Sequence, residues 1–171
     1  MASQQQDYLL RQIELLGRFV ARLRRKGKLL ADEDKDELNE TLLLALHLQE
    51  KNFGMPAAQF LSLSADEQIA SLQRGESKTS GHERCLTYAT LLKDTAELYV
   101  YRHNEDLALG ARQLALYVAL CVALDQPAEA PGGRALVREL LAVLTVAELP
   151  APTRELLDQV VASADRAPAN P

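Results

Sequence analysis

Residues 104–125 read NEDLALGARQLALYVALCVALD, and this stretch gives the strongest indication of the fold class. Asn104 is a good N-terminal cap for a helix, acidic residues follow it, and no proline interrupts the rest. Leu114–Leu124 is an unbroken apolar run of eleven residues, too short to span a bilayer as a helix. We therefore predict a helix over about 105–125 at the centre of a helical core.

The residues before this helix predict its partner. Ser80-Gly-His-Glu83 has the Ser-x-x-Glu spacing of a capping box and predicts a long helix over about 81–102. His103 and Asn104 then form a tight break. Because the connection is so short, the two helices should pack as an antiparallel hairpin.

Similar signals organise the N-terminal half. They predict a first helix over 7–26, ended by Gly27. A second helix begins at Asp32 or Asp34 and ends near Asn52, which predicts another antiparallel hairpin.

The segment between the two hairpins is less regular. Residues 53–63 predict a loop with one turn of helix. Ser64-Ala-Asp-Glu67 is a second capping box, and it starts a short helix that Gly75 ends.

The C-terminal third begins with a predicted linker, residues 126–133, which contains two prolines and two glycines. Two amphipathic helices follow, near 135–147 and 152–165. We expect this helical pair, within 134–166, to pack on the main domain.

Together these elements predict an all-α protein. Its main helical domain is residues 1–125, and a disordered tail follows at 167–171. Six or seven helices should form antiparallel hairpins, arranged as a tetratricopeptide-like superhelix or an irregular bundle. No alternating strand pattern competes with this interpretation.

Composition narrows the functional class. The chain has 171 residues, 47% of them hydrophobic, which is enough for a core without metal or disulfide support. A net charge of −5 disfavours nonspecific binding to nucleic acid or to anionic membranes. A polar N-terminus and two cysteines, Cys85 and Cys121, favour a cytoplasmic protein with free thiols over one with a disulfide.

Catalytic and metal-binding signatures are weak. His47 and Glu50 share a helix face, but the two Glu-x-x-His pairs of a helical di-iron site are missing. His82 lies one helical turn before Cys85, the one spacing that could activate a thiol, although Cys85 also belongs to an apolar stripe. We predict no metal, no cofactor and no enzymatic activity.

A basic cluster at the end of the first helix is the candidate patch for an anionic partner: Arg18, Arg22, Arg24, Arg25 and Lys26. The acidic residues of 32–37 should lie beside it in the hairpin and offset its charge. No aromatic residues alternate with the basic ones, as a binder of single-stranded nucleic acid requires. A nucleic-acid partner is therefore disfavoured.

The first helix also carries an apolar seam with alternating spacings of four and three: Leu9, Ile13, Leu16, Val20 and Leu23. Such a seam packs either against the rest of the domain or against a second subunit. It is the candidate interface for a homodimer.

Two resemblances support an interaction role. The stretch 88–127 resembles a tetratricopeptide-type hairpin, with Leu91-Leu92, Ala96-x-Leu98-Tyr99, small residues at 108, 111 and 115, and a closing Leu124-Asp-Gln-Pro127. The opening, Tyr8-Leu-Leu-Arg-Gln-Ile-Glu-Leu-Leu16, is similar to an uncharacterised bacterial family of small helical proteins with tetratricopeptide-like architecture, up to about Leu124. This resemblance implies a scaffold role and supplies no catalytic residues.

We therefore predict a noncatalytic scaffold or interaction protein, with another protein or a second copy of itself as partner. The first alternative is a small-ligand-binding or enzymatic domain with a pocket between helices. Its candidate groups are Tyr88, Tyr99, Tyr101, His82 and His103. The second alternative is a nucleic-acid binder that uses the basic end of the first helix.

Overall fold

A computed structural model describes residues 2–27, 30–126 and 131–165, and within these ranges the chain is all-α, as predicted. No strand occurs in the described part. The elements are α1 Ala2–Lys26, α2 Asp32–Phe53, α3 Ala57–Leu61, α4 Ala65–Gln73, α5 Lys78–Tyr101, α6 Glu105–Asp125, α7 Pro131–Leu141, a short 3-10 helix Val146–Glu148 and α8 Ala151–Asp165.

Local capping explains several helix ends. At α4, the Glu67 N–H donates to Ser64 Oγ at 3.3 Å, and the Ser64 N–H donates to the Glu67 carboxylate at 2.8 Å. The predicted capping box is therefore confirmed. Asn104 caps α6 by accepting the Leu107 N–H, and Gly54 ends α2 in the left-handed conformation, with φ of 68°.

The starts of α1 and α5 differ from the prediction. The first helix begins at Ala2 and not at Asp7, because its helical backbone extends through the polar N-terminal residues. The capping box at Ser80 was wrong, because Ser80 already lies in the first turn of the helix. The extended residue is Ser77, whose hydroxyl accepts the Ser80 N–H at 3.2 Å. Two serines three residues apart compete for this position, and only the one with extended backbone can act as the cap.

The predicted linker is partly helical, because α7 begins at Pro131. A Cβ added to Gly133 would lie 3.0 Å from the backbone nitrogen of Ala123 in α6. The glycines 132 and 133 thus serve close helix packing, and the prediction of a linker through 133 was wrong. Residues 127–130 of that linker and the tail 167–171 lie outside the described part.

The predicted helix 135–147 is also too long. It ends at Leu141, and a separate 3-10 helix follows. Thr145 and Glu148 form a capping box at its start. Their Thr-x-x-Glu spacing was visible in the sequence and is the signal that marks this break.

Buried apolar residues form two clusters. The larger one joins α5 and α6 with α7, α8 and the α3–α4 segment. The smaller one joins α1 and α2 with the outer face of α5. The α5–α6 hairpin is therefore the centre of the fold, as the apolar run of α6 predicted.

α6 is also the one helix in the described part that is long and apolar enough to cross a membrane. Eight of its residues are buried against other helices. A core helix passes the same test of length and composition, so this is weak evidence for a membrane span.

Candidate functional site

The seam of α1 lies mostly inside the chain's own core. Leu16, Val20 and Leu23 are buried in the cluster shared with α2 and α5, and Ile13 is half-buried. The side chain of Leu9 is outside the described residues. Because three seam positions are already enclosed, they are not available to a second subunit. At Leu16, Val20 and Leu23 the interface hypothesis is corrected to intramolecular packing.

The basic end of α1 is largely compensated by acids. Its ion pairs are Arg18–Glu14 at 2.7 Å, Arg22–Glu37, Arg24–Glu97 at 3.3 Å and Lys26–Asp34 at 2.5 Å. Two of these acids lie at the start of α2, where the hairpin was expected to place them. Of the five cations in the patch, Arg25 alone forms no ion pair with a described residue.

His82 and Cys85 do not form an activated pair. The His82 Nε2 lies 2.7 Å from Asp125 Oδ2, on α6. Cys85 is enclosed in the core, and burial raises the pKa of its thiol to about 11. A thiol with that pKa is protonated at neutral pH and is a poor nucleophile.

The groups of the ligand-pocket alternative do not converge on one site. Tyr88 is buried inside the core, where its hydroxyl donates to Gln68 Oε1 at 3.0 Å. Tyr101 and His103 do line one cavity of about 410 Å³ at the end of α5. The other residues that line this cavity are Leu30, Lys35, Leu38, Asn39 and Arg102.

Potential metal ligands are dispersed in the described ranges. His47 Nδ1 lies 3.9 Å from Glu50 Oε2, and no third ligand joins them. Within those ranges, no three His, Cys, Asp or Glu side chains are grouped to hold a metal ion.

A groove on α6 is the strongest candidate site. It measures about 420 Å³ and has α4 on one side and the start of α8 on the other. We call it the α6 groove. Its lining residues are Ser64, Ala65, Asp66, Gly110, Gln113, Leu114, Tyr117, Pro150, Pro152 and Thr153.

Two hydrogen bonds link α6 to the neighbouring segments. The Tyr117 hydroxyl donates to Asp66 Oδ1 at 2.6 Å, and this bond, together with partial burial, raises the pKa of the phenol. On the other side, the Gln113 amide donates to the backbone carbonyl of Glu148 at 2.5 Å. Both sides of the groove are therefore positioned by α6 itself.

Gly110 lies in the α6 groove and faces open space. A Cβ built on it would meet no heavy atom within 4 Å, and its φ is not positive. Glycine inside a helix costs about 0.5–1 kcal/mol relative to alanine. Neither backbone conformation nor helix packing requires a glycine at this position.

Thr153 is the polar residue that the groove leaves unsatisfied. It is only 3% exposed, and its hydroxyl has no hydrogen-bond partner among the described residues. Among the described residues, two fully enclosed side-chain polar atoms lack a hydrogen-bond partner: Nε of Arg112 and Nε of Arg134. The Thr153 hydroxyl is therefore not fully enclosed, and Thr153 is one of the residues that line the groove.

Sequence reasoning did not find this site. Gly110 gave a usable signal, because an isolated glycine in a helical pattern often has a packing or functional reason. Thr153 and Asp66 gave none. They are 87 residues apart in the sequence and come together only because both of their segments fold onto α6.

Comparison of the chain with family models, curated proteins and solved structures finds no match. The resemblance to tetratricopeptide hairpins and to a bacterial helical family therefore stays a prediction. Functional inference rests on the geometry alone.

Proposed function

We propose that this protein is a noncatalytic helical interaction protein that holds a short segment of another protein in the α6 groove. The observation that carries the proposal is Gly110, a helical glycine left in open space on the groove floor. Glycine at such a position lets a second backbone approach closely.

The groove has the size and chemistry of a recognition site. Its volume of about 420 Å³ falls in the range of ligand sites in proteins. Leu114 and Tyr117 supply apolar surface, and Asp66 and Thr153 supply a few polar groups to orient a bound segment. Leu107, one turn before Gly110 on α6, is 49% exposed and extends the apolar surface beyond the groove.

An open groove favours a peptide segment over a small enclosed metabolite. The apolar face of a partner segment would cover Leu114 and Leu107, which water now contacts in part. The rigid α5–α6 hairpin behind the groove would hold this surface without rearrangement.

The test uses random linear peptides displayed in two ways, internally and with free C-termini, and selected on the pure protein. We expect selected peptides to bind the wild-type protein in a fluorescence anisotropy titration and to lose at least about tenfold in affinity on Gly110→Arg. The arginine side chain would occupy the groove without disturbing the core, because nothing lies within 4 Å of that position.

The matched control is Ala162→Arg, which adds the same charge at an exposed position of α8. Ala162 lies about 13 Å from Thr153 along the axis of α8. Selected peptides should bind this variant like the wild type. The proposal is contradicted if the selection yields no binders, or if the selected peptides bind Gly110→Arg as tightly as the wild type.

A second candidate function is binding of a small anionic ligand in the cavity at the end of α5. The favouring observation is that Lys35, Arg102 and His103 line it beside Tyr101. Ligand-observed NMR with small aromatic carboxylates would reveal it as binding that Arg102→Glu abolishes.

The remaining expectations also stay proposals. A tetratricopeptide-like arrangement is supported by the long α5–α6 hairpin, and a cytoplasmic location by two free thiols. A homodimer through α1 would have to use outer residues such as Leu15, which is 51% exposed. Nucleic-acid binding has weak support, because four of the five patch cations pair with acids.

A further inference from the structure

We infer that the α6 groove captures the C-terminal carboxylate of a partner chain, bound at the start of α8 by Thr153. The apolar side chain of the same terminal residue would lie against Leu114 and Tyr117. This inference rests on the proposed function and names the chemistry of the bound segment.

The start of α8 offers unpaired backbone donors. The first hydrogen bond of this fifteen-residue helix runs from the Arg154 N–H to the Pro150 carbonyl, at 3.1 Å. The N–H groups of Ala151 and Thr153 precede it and receive no partner from the described residues. Pro150 has no side-chain acceptor to cap them, and the first turn holds no acid. Such a helix end attracts anions.

Thr153 supplies the second and independent observation. Its side chain is almost fully buried, and its hydroxyl lacks a partner among described residues. Buried hydroxyls in folded proteins are normally hydrogen-bonded. A carboxylate at the start of α8 would accept from this hydroxyl and from the neighbouring N–H groups together.

The nearby acids are already engaged by other donors. The Asp66 carboxylate accepts from the Tyr117 hydroxyl across the groove. The Glu148 carboxylate accepts from the N–H and hydroxyl of Thr145, at 2.7 and 2.8 Å. Both carboxylates are therefore engaged by donors other than those of α8, and their negative charge disfavours a segment with several acidic residues.

A chain terminus fits this arrangement better than an acidic side chain. Thr153 at the start of α8 and the apolar surface of Leu114 line the same groove. A terminal residue carries its carboxylate and its side chain on one Cα, so it can reach both. An internal Asp or Glu would bring its carboxylate without an apolar group attached.

The experiment uses a peptide library fused so that its C-termini are free. Selected sequences are synthesised twice, as the free acid and as the C-terminal amide, and titrated against the full-length protein. We expect the amide to bind about tenfold or more weakly than the acid. Thr153→Val should remove most of this acid-over-amide preference, whereas Thr153→Ser, which keeps the hydroxyl, should retain it.

The ratio of acid to amide affinity distinguishes recognition from a general structural loss, because a structural defect would weaken both forms. Equal affinity of acid and amide, with binding still lost on Gly110→Arg, overturns this inference and leaves the proposed function standing. If Gly110→Arg leaves the affinity unchanged, both this inference and the proposed function are overturned. An amide peptide that ends in Glu and binds as tightly as the free acid would show side-chain recognition and also overturn the inference.

Discussion

Gly17 of α1 lies against the carboxylate of Asp94 of α5: a Cβ added to the glycine would be 3.9 Å from Asp94 Oδ2. Asp94 is 7% exposed and has no hydrogen bond or ion pair with a described residue. Burial raises the pKa of its carboxyl to about 6. The charged groups around it are Lys93 and Arg24, which favour ionisation, and Glu97 and Glu139, which oppose it.

We expect Asp94→Asn to remove a pH dependence of stability. The pKa is higher in the folded state than the unfolded value of 3.8, so the folded state holds the proton longer. The free energy of unfolding of the wild type should therefore fall as the pH rises from about 4 to about 6. The loss should be on the order of 2 kcal/mol, measured by urea denaturation at a series of pH values.

The control for this series is Asp158→Asn, at an exposed position of α8. Its stability curve should keep the wild-type shape. If the curves of the wild type and Asp94→Asn run parallel between pH 4 and 7, Asp94 does not titrate in this range as described.

Two helical glycines should respond to alanine in opposite directions. Gly133→Ala would place a methyl group 3.0 Å from the backbone of Ala123, which cannot move aside easily, and we expect a loss of about 1–3 kcal/mol. Gly110→Ala faces open space and should gain up to about 1 kcal/mol from helix propensity. Thermal unfolding of both variants gives the comparison. A gain at position 133 would contradict the close contact between α6 and α7.

Leu15 and Leu16 are adjacent on α1, but Leu16 is buried in the core and Leu15 is half exposed. Leu16→Asp would bury an unpaired charge in the α1–α2–α5 cluster and should destabilise the fold by about 4 kcal/mol or more. Leu15→Asp should leave a folded protein, because that side chain is half exposed. Circular dichroism and light scattering on both variants measure fold and assembly. A folded, soluble Leu16→Asp monomer would restore the seam as an interface.

The thiols should be unreactive in the native state. Burial is the main cause that raises the pKa values of both Cys85 and Cys121 to about 11. At pH 8 about one thiol in a thousand would then be ionised. Iodoacetamide should label the native protein slowly and the urea-unfolded protein quickly, as followed by mass spectrometry. Fast native labelling that Cys85→Ser abolishes would instead indicate an activated thiol.

The buried His82 depends on Asp125 for its hydrogen bond. Asp125→Ala would leave the Nε2 of His82 without its described partner, and we expect a loss of about 1–3 kcal/mol in unfolding free energy. Lys78 also pairs with Asp125, at 2.8 Å, but it is exposed. Lys78→Ala is therefore the control and should cost less than about 1 kcal/mol. Equal losses would mean that the His82 bond contributes little.

Local patterns in the sequence predicted correctly that the chain is helical and located several of the helix ends. The Ser64–Glu67 box, the Asn104 cap and the Gly54 stop all rest on hydrogen bonds or backbone angles within a few residues. Such signals are complete in the local sequence. Ser77 and Ser80 are both local candidates for the N-terminal cap of α5, and the sequence pattern alone predicted the wrong one.

The neighbours of each surface depend on packing between segments that are distant in the sequence. The apolar seam of α1 was compatible with core or interface until α2 and α5 were seen to cover it. The glycines at 132 and 133 looked like a linker because their closest neighbours, in α5 and α6, lie far away along the chain. The α6 groove exists for the same reason: Asp66, Gly110 and Thr153 become neighbours through packing, and spacing along one helix cannot encode that.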